Sequence, residues 1–449
     1  MLRNWIAALV ITLIGATQPV GAATFYVAPL GAAISGTPNG TLASPWPSSD
    51  VAFASGRIAA GDTVLLMDGK HGSLNVQQSF SSTVTVMSQN ARMAHVENIY
   101  VGGTARNVII KNFKVWPSSA ATRVANLVAA TATASDIQFV NLDVRSGQDA
   151  YSYESWSAAD WIARRTNGAS LAGPRIQIRQ SNFTGITFGI ILTSNDGVAA
   201  GNTIDGFSAD ALRGAGERTT FRDNYAQNCV LVDENHADGF QSYTPTVVYG
   251  LTLVRNTIIE WTLAPSHPLR CGLQGIGIFD GEHHNITIND NVIATRMGHG
   301  ITVYGAHNAK IFNNTVVNID GIQPGYPWIG IYPSKAGVPS ADVVVANNLA
   351  MGFYGGNDAA NRVKFTNNRI IRDVSNVFPN WKNFNYQLPK TSRYVDIADP
   401  TYATALDVLR RPRPVGNGPD LGAFEAGSTA STSLPKLVLP PPPPITATN

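Results

Sequence analysis

Charged side chains are scarce in this chain. Asp, Glu, Lys and Arg make up 14% of its 449 residues, against about 25% in an average soluble protein. That shortage excludes a coiled coil and a charge-driven disordered chain. The 32 Lys and Arg nearly cancel the 30 Asp and Glu, leaving a net +2, so no bulk attraction to nucleic acid is expected. Cysteine is almost missing. Cys229 and Cys271 allow only one pairing, the sequence does not show them meeting, and the reading leans toward free thiols. No Cys/His spacing suggests a zinc site, and no metal ligands are assigned.

Long apolar runs are also lacking. Trp5 to Ile14 is too short to span a bilayer of about 30 Å. With Arg3 before it and Gly21-Ala22-Ala23 after it, the run reads as an export signal over residues 1–23. The protein is therefore expected in the periplasm or medium, without a membrane span and as a monomer. The far end, 428–449, is Ser/Thr-rich and holds Pro440 to Pro444; it reads as a disordered tail. One domain is expected between them, over 24–427.

Glycine (41) and proline (26) are plentiful, as in a chain of many turns. Between the turns one phrase recurs: alternating apolar residues, then Asn, then another apolar pair. It appears as Val108 to Phe113, Ile137 to Leu142, Leu251 to Asn256, Ile286 to Asn291 and Val343 to Asn348, with looser copies ending at Asn182, Asn202, Asn224, Asn314 and Asn368. Alternation with period two makes each phrase a strand with one face inward. The shortest spacing, from 182 to 202, is too short for a propeller blade of about 40 residues. An all-β fold follows: a parallel β-helix of about ten coils, right-handed by the crossover rule, with a stacked Asn ladder at one corner.

Both flanks carry a recognisable pattern. Thr24 to Pro29, Ala60 to Leu66 and Asp68-Gly69 resemble the opening of secreted bacterial β-helix proteins. Pro419 to Glu425 resembles their closing segment. The chain is similar to the right-handed β-helix group of carbohydrate-active proteins, which includes polysaccharide lyases, polygalacturonase-like hydrolases and uronate C5-epimerases. The resemblance implies a polysaccharide ligand. One scaffold hosts several reactions, so the site must decide among them.

A second strand recurs between the Asn phrases. Aligning its copies stacks Phe188, Asp210, Asp238, Gln274, His299 and Ile329 in one column. Ile191, Arg213, Gln241, Gly277, Thr302 and Tyr332 form a second, and Tyr243, Phe279 and Tyr304 a third. Neighbouring coils rise about 4.8 Å, so these residues converge on one patch. The catalytic candidates are His236, Asp238, Arg213, His299, Tyr304 and Asp210. Histidine titrates near neutrality and moves protons, and arginine neutralises a carboxylate. Gln241, Tyr243 and Gln274 are candidates for holding sugar. The long excursions add Trp156, Trp161, Arg164, His267 and Arg270 as expected walls of the cleft. His283 and His284 are read as structural. Calcium at Asp210 and Asp238 is a weak expectation, the oxygen ligands being few.

These residue types suit β-elimination on an acidic, uronate-containing polysaccharide. No lysine falls on the columns. Hydrolysis by Asp210 and Asp238 is the alternative, with C5-epimerisation or plain carbohydrate binding behind it. Gly298-His299-Gly300 is similar to the Gly-His-Gly turn of polygalacturonase-like hydrolases, but their paired Asp-Asp and Arg-Ile-Lys have no match here, which weighs against inverting hydrolysis.

Overall fold

The computed structural model describes residues 21–244, 246–323 and 325–427; the expected export signal (except its last three residues) and the tail lie outside the described residues. Three parallel sheets of 14, 11 and 12 strands wind about one axis. Each coil contributes a strand to the second sheet, then the first, then the third, so the 11 second-sheet strands mark eleven coils. Inward positions stack like with like. Ile276 pairs with Ile301 and Ile301 with Ile329, while Phe183 pairs with Ile204, all of them buried. Each such side chain contributes about 1.5–3 kcal/mol.

The Asn ladder occupies the corner between the first and third sheets. It comprises Asn202, Asn224, Asn256, Asn291, Asn314, Asn348 and Asn368. Asn256 Nδ2 donates to Asn291 Oδ1 at 3.1 Å and to the Phe221 carbonyl at 2.9 Å. Its own Oδ1 accepts from the backbone N–H and Nδ2 of Asn224. Three expected rungs fall elsewhere. Asn112 and Asn141 occupy the preceding turn position, with φ of 69° and 55°, and Phe113 and Leu142 stand where the ladder would be. Asn182 lies one place later, opposite Thr203, and Ser181 takes the corner. Asn tolerates the left-handed turn itself, so the motif alone does not separate the two positions.

What covers each sheet decides where a site can form. The third sheet is buried on both faces along much of its length, with Val292–Thr295 and Thr315–Asn318 buried throughout, while its end strands Gly69–Lys70 and Arg369–Ile370 are at least partly exposed. Its middle strands are covered by the 146–166 excursion, which packs Tyr153, Trp156 and Trp161 with Val230 and Trp261. Its C-terminal part lies under residues 371–427, which bring Tyr386, Leu421 and Phe424 against Val292, Val317 and Leu349. The outer face of the first sheet is laced by ion pairs such as Arg175–Asp136 and Arg218–Asp196. The second sheet keeps an uncovered polar face.

Cys229 and Cys271 form a disulfide, with Cα atoms 5.5 Å apart. The expected free thiols are thus corrected. Both residues sit where loops leave and re-enter the coil, and the backbone joins there too: Cys271 N donates to the Cys229 carbonyl at 3.1 Å and Leu231 N to Leu269 at 2.8 Å. Among the described residues, no helix is long and apolar enough to cross a membrane.

Candidate active site

A cleft of ≈270 Å³ runs along the second sheet, lined by His236, Asp238, Gln241, Gln274, Phe279, Asp280, His299, Tyr304 and Lys335. Asp238 opens strand Asp238–Ser242 and pairs with Gln274, which opens Gln274–Ile278. Strand His299–Tyr304 follows one coil on, in the register set by Ile276 opposite Ile301. The polar column from Asp238 to His299 is therefore real.

One coil further, the register slips. His299 pairs with Trp328 and Ile301 with Ile329, so Gly300 is an extra residue. Trp328 replaces Ile329 in the polar column, and Tyr332 moves beside Tyr304, with Gly330 opposite Thr302. A Cβ on Gly300 would lie 2.3 Å from Val316 and 2.8 Å from the Trp328 carbonyl, which reserves the bulge for glycine. The slip builds an aromatic wall. Phe279 and Tyr304 meet edge to face at 5.7 Å and Tyr304 and Tyr332 at 5.2 Å, while the His299 ring lies 5.4 Å from Phe279 and 5.1 Å from Trp328. Tyr243, 61% exposed, stands at the open edge of this wall.

Asp210 and Asp238 are each only 1% exposed. Asp210 accepts from Arg213 Nη2 at 2.6 Å and Nε at 2.8 Å. The guanidinium also donates to Gln241 Oε1 at 2.7 Å and lies over the Phe188 ring. Burial pushes both carboxyls up, Arg213 opposing this at Asp210. Of the two, Asp210 takes the charge, since the guanidinium pairs with it. Asp238 is pushed up to about 9 by burial and by the neighbouring Asp210, so it is a neutral acid at pH 7. Its Oδ1 is buried and without a hydrogen bond. Arg213 already occupies Asp210, which leaves few free oxygens here against the six to eight that calcium takes.

His236 stands exposed on the loop before Asp238. His299 donates to or accepts from Thr302 Oγ1 through Nδ1 at 3.0 Å, and burial lowers it below its ordinary range; it is therefore a neutral base at pH 7. Lys335 and Asp280, paired at 2.6 Å, were not identified from the columns. Lys335 hangs from the 333–340 turn and passes over the single-residue turn at Gly305, where a Cβ would meet Ser334 at 2.7 Å. The columns themselves carry no lysine, and the cleft gains one from the turn beside them. Unequal turn lengths in neighbouring coils were the available signal.

The other expected walls lie elsewhere. Trp156 and Trp161 are buried in the cluster over the third sheet. Arg164 pairs with Asp149 and Asp160 and stacks on Trp156. Arg270, its side chain 7% exposed, is held by Glu260 and Asp320. His267 meets the Glu154 carbonyl at 2.8 Å. None of these five lines the cleft; Arg164, His267 and Arg270 are already engaged by neighbours. The 146–166 excursion does reach the 230–237 loop through Arg165, the neighbour of Arg164 in sequence, which pairs with Asp233, and the disulfide anchors the loop's start. A larger hollow, ≈640 Å³, lies among the turns of 370–394 and has no histidine in its lining.

A family model described as the right handed beta helix region matches residues 162–326. The matched stretch lies within the coils described above, and the fold is a right-handed parallel β-helix. A second model, the periplasmic copper-binding protein (NosD) family, matches residues 270–404 of this β-helix. Among solved structures, it is similar to pectate lyase Pel9A at 15% identity, with a TM-score of 0.49 over 90% of this chain and 96% of that one. It is also similar to a mannuronic acid specific family 6 lyase from human gut microbiota at 12% identity, TM-score 0.39, over 77% and 82% of the two chains. A catalytic unit of GH87 α-1,3-glucanase from Streptomyces thermodiastaticus gives 14%, 0.39, 78% and 69%. At these identities and TM-scores the likenesses assign no reaction to the chain. No curated protein sequence matches the chain.

Proposed function

We propose that this β-helix protein is an exported enzyme that cleaves an acidic, uronate-containing polysaccharide by β-elimination. The carrying observation is the chemistry of the second-sheet cleft: two histidines, a tyrosine and a lysine beside an aromatic wall, with both Asp210 and Asp238 poorly suited to act as a free carboxylate. In elimination the uronate carboxylate is first neutralised, by the Lys335 ammonium and by hydrogen bonding from neutral Asp238. His236 or His299 then takes the C5 proton. The electron pair forms the C4=C5 double bond, the C4–O4 bond breaks, and Tyr304 gives its proton to the departing oxygen. Gln241 and Gln274 bind sugar hydroxyls, and Phe279, Tyr304 and Tyr332 offer ring faces and edges. Arg213 positions Gln241 and Asp210.

Hydrolysis is the second reading, favoured by one observation: a carboxyl held protonated, like Asp238, is what a glycosidase acid requires. The test is to incubate the mature protein with anionic and neutral polysaccharides, following unsaturated-uronate absorbance and reducing ends together. Both signals rise under elimination. Reducing ends without absorbance would overturn it in favour of hydrolysis.

A further inference from the structure

Beyond the cleft, the outer face of the first sheet carries a second constellation. Strand His283–Asn289 pairs with Ala306–Phe312 so that His284 lies directly opposite His307. Alternation turns His283 inward, where it is fully buried and its Nε2 meets Ser242 Oγ at 2.7 Å. The same alternation turns Glu282 and His284 outward together. The two imidazoles stack with centroids 4.7 Å apart and planes within 21°. Glu282 Oε1 stands 3.3 Å from His307 Nε2, yet that buried nitrogen makes no hydrogen bond of normal geometry. One ligand atom from each of the three residues lies within 4.8 Å of the others.

The backbone under them is pinned. Val248 N donates to the Glu282 carbonyl at 2.9 Å and Gly250 N to that of His284 at 2.8 Å. Asn308 bonds Asn285 side chain to side chain at 2.7 Å, which holds the two strands in register beside the histidines. The three side chains themselves are only partly buried, so small rotations about their χ angles bring the ligand atoms together.

We propose that Glu282, His284 and His307 bind a divalent first-row transition ion. Two imidazoles and one carboxylate, with solvent as a fourth ligand, suit zinc, nickel or copper(II), whereas calcium and magnesium prefer oxygen alone. The ion bridges two successive coils on the shoulder beside the cleft. The 279–282 turn carries Phe279 and Asp280 on its cleft side and Glu282 on the metal side, so the ion acts as a structural clip for that turn. Nothing in this inference rests on the reaction proposed for the cleft.

The test uses full-length, tag-free protein stripped with chelator, titrated with zinc chloride or copper(II) chloride by calorimetry. One saturable site per chain is expected. Second-sphere losses alone weaken metal binding about 10–100-fold, so His284→Ala or His307→Ala is expected to weaken it at least about 100-fold. Copper(II) electron paramagnetic resonance should show nitrogen coupling from two imidazoles, and from one in either variant. Glu282→Gln, the variant least disturbing to the fold, should weaken binding with both nitrogen couplings retained. Zinc should raise the unfolding temperature of the wild type and leave His307→Ala unmoved. Absence of a saturable site, or a site that survives His284→Ala with His307→Ala, would overturn the proposal.

Discussion

Asp238 is the residue on which the two cleavage chemistries divide. With a folded pKa of about 9 against about 4 unfolded, it binds more protons in the native state between those values. Stability from this group is full below pH 4 and is lost as pH rises toward 9. Asp238→Asn should flatten that part of the decline in unfolding temperature between pH 5 and 9; an unchanged slope would show that Asp238 ionises normally. Under elimination the amide still donates a hydrogen bond, so turnover should stay within about tenfold, whereas a general acid would lose about 10²–10⁴-fold. His236→Ala and His299→Ala, assayed separately, should identify the base by a loss of at least about 10²-fold in one of them. Arg213→Ala strands Asp210 without its cation and should cost about 3 kcal/mol in denaturant unfolding, besides lowering turnover through displacement of Gln241. A variant of wild-type stability would mean the pair is dispensable. These roles were only half legible beforehand. The column of Asp210, Asp238 and His299 followed from spacing alone, but its electrostatics depend on burial, which alternation does not report for a corner residue.

Among the elements, the Asn ladder is the most sharply testable. Asn256→Leu would copy the side chain that Leu142 carries at this corner, yet in its own coil it removes the acceptor of Asn224 and the donor to Phe221. Buried groups left unpaired cost about 1–3 kcal/mol each, so a clear fall in the urea midpoint is expected. A neutral result would show that packing, and not the amide stack, holds the corner. The ladder was readable because each rung recurs at the coil period. The slip at Gly300 was not, because a bulge adds one residue without disturbing the pattern on either side of it. For the same reason Ile329 was set in place of Trp328. Lys335 went unseen because its turn crosses a shorter one, a fact of geometry between coils.

At the scale of the molecule, the solenoid decides by coverage. The third sheet is roofed over its middle by the Trp156–Trp161 cluster and toward its C-terminal end by residues 371–427, and the second-sheet cleft stays open. The sequence carries the aromatic and basic residues of the excursions in plain view, but not the direction in which they fold. The Cys229–Cys271 bridge closes a loop of 42 residues, which corresponds to about 4 kcal/mol of chain entropy. Cys271→Ser should lower the unfolding temperature and raise the protease sensitivity of the 230–237 loop; unchanged cleavage there would show that the surrounding hydrogen bonds suffice to hold His236.

The most direct test of the account is product mass after digestion of a uronate polymer in water enriched with heavy oxygen. Elimination predicts new ends lighter by one water than hydrolytic ends and free of the heavy isotope. Hydrolytic ends carrying one heavy oxygen at each cut would contradict it.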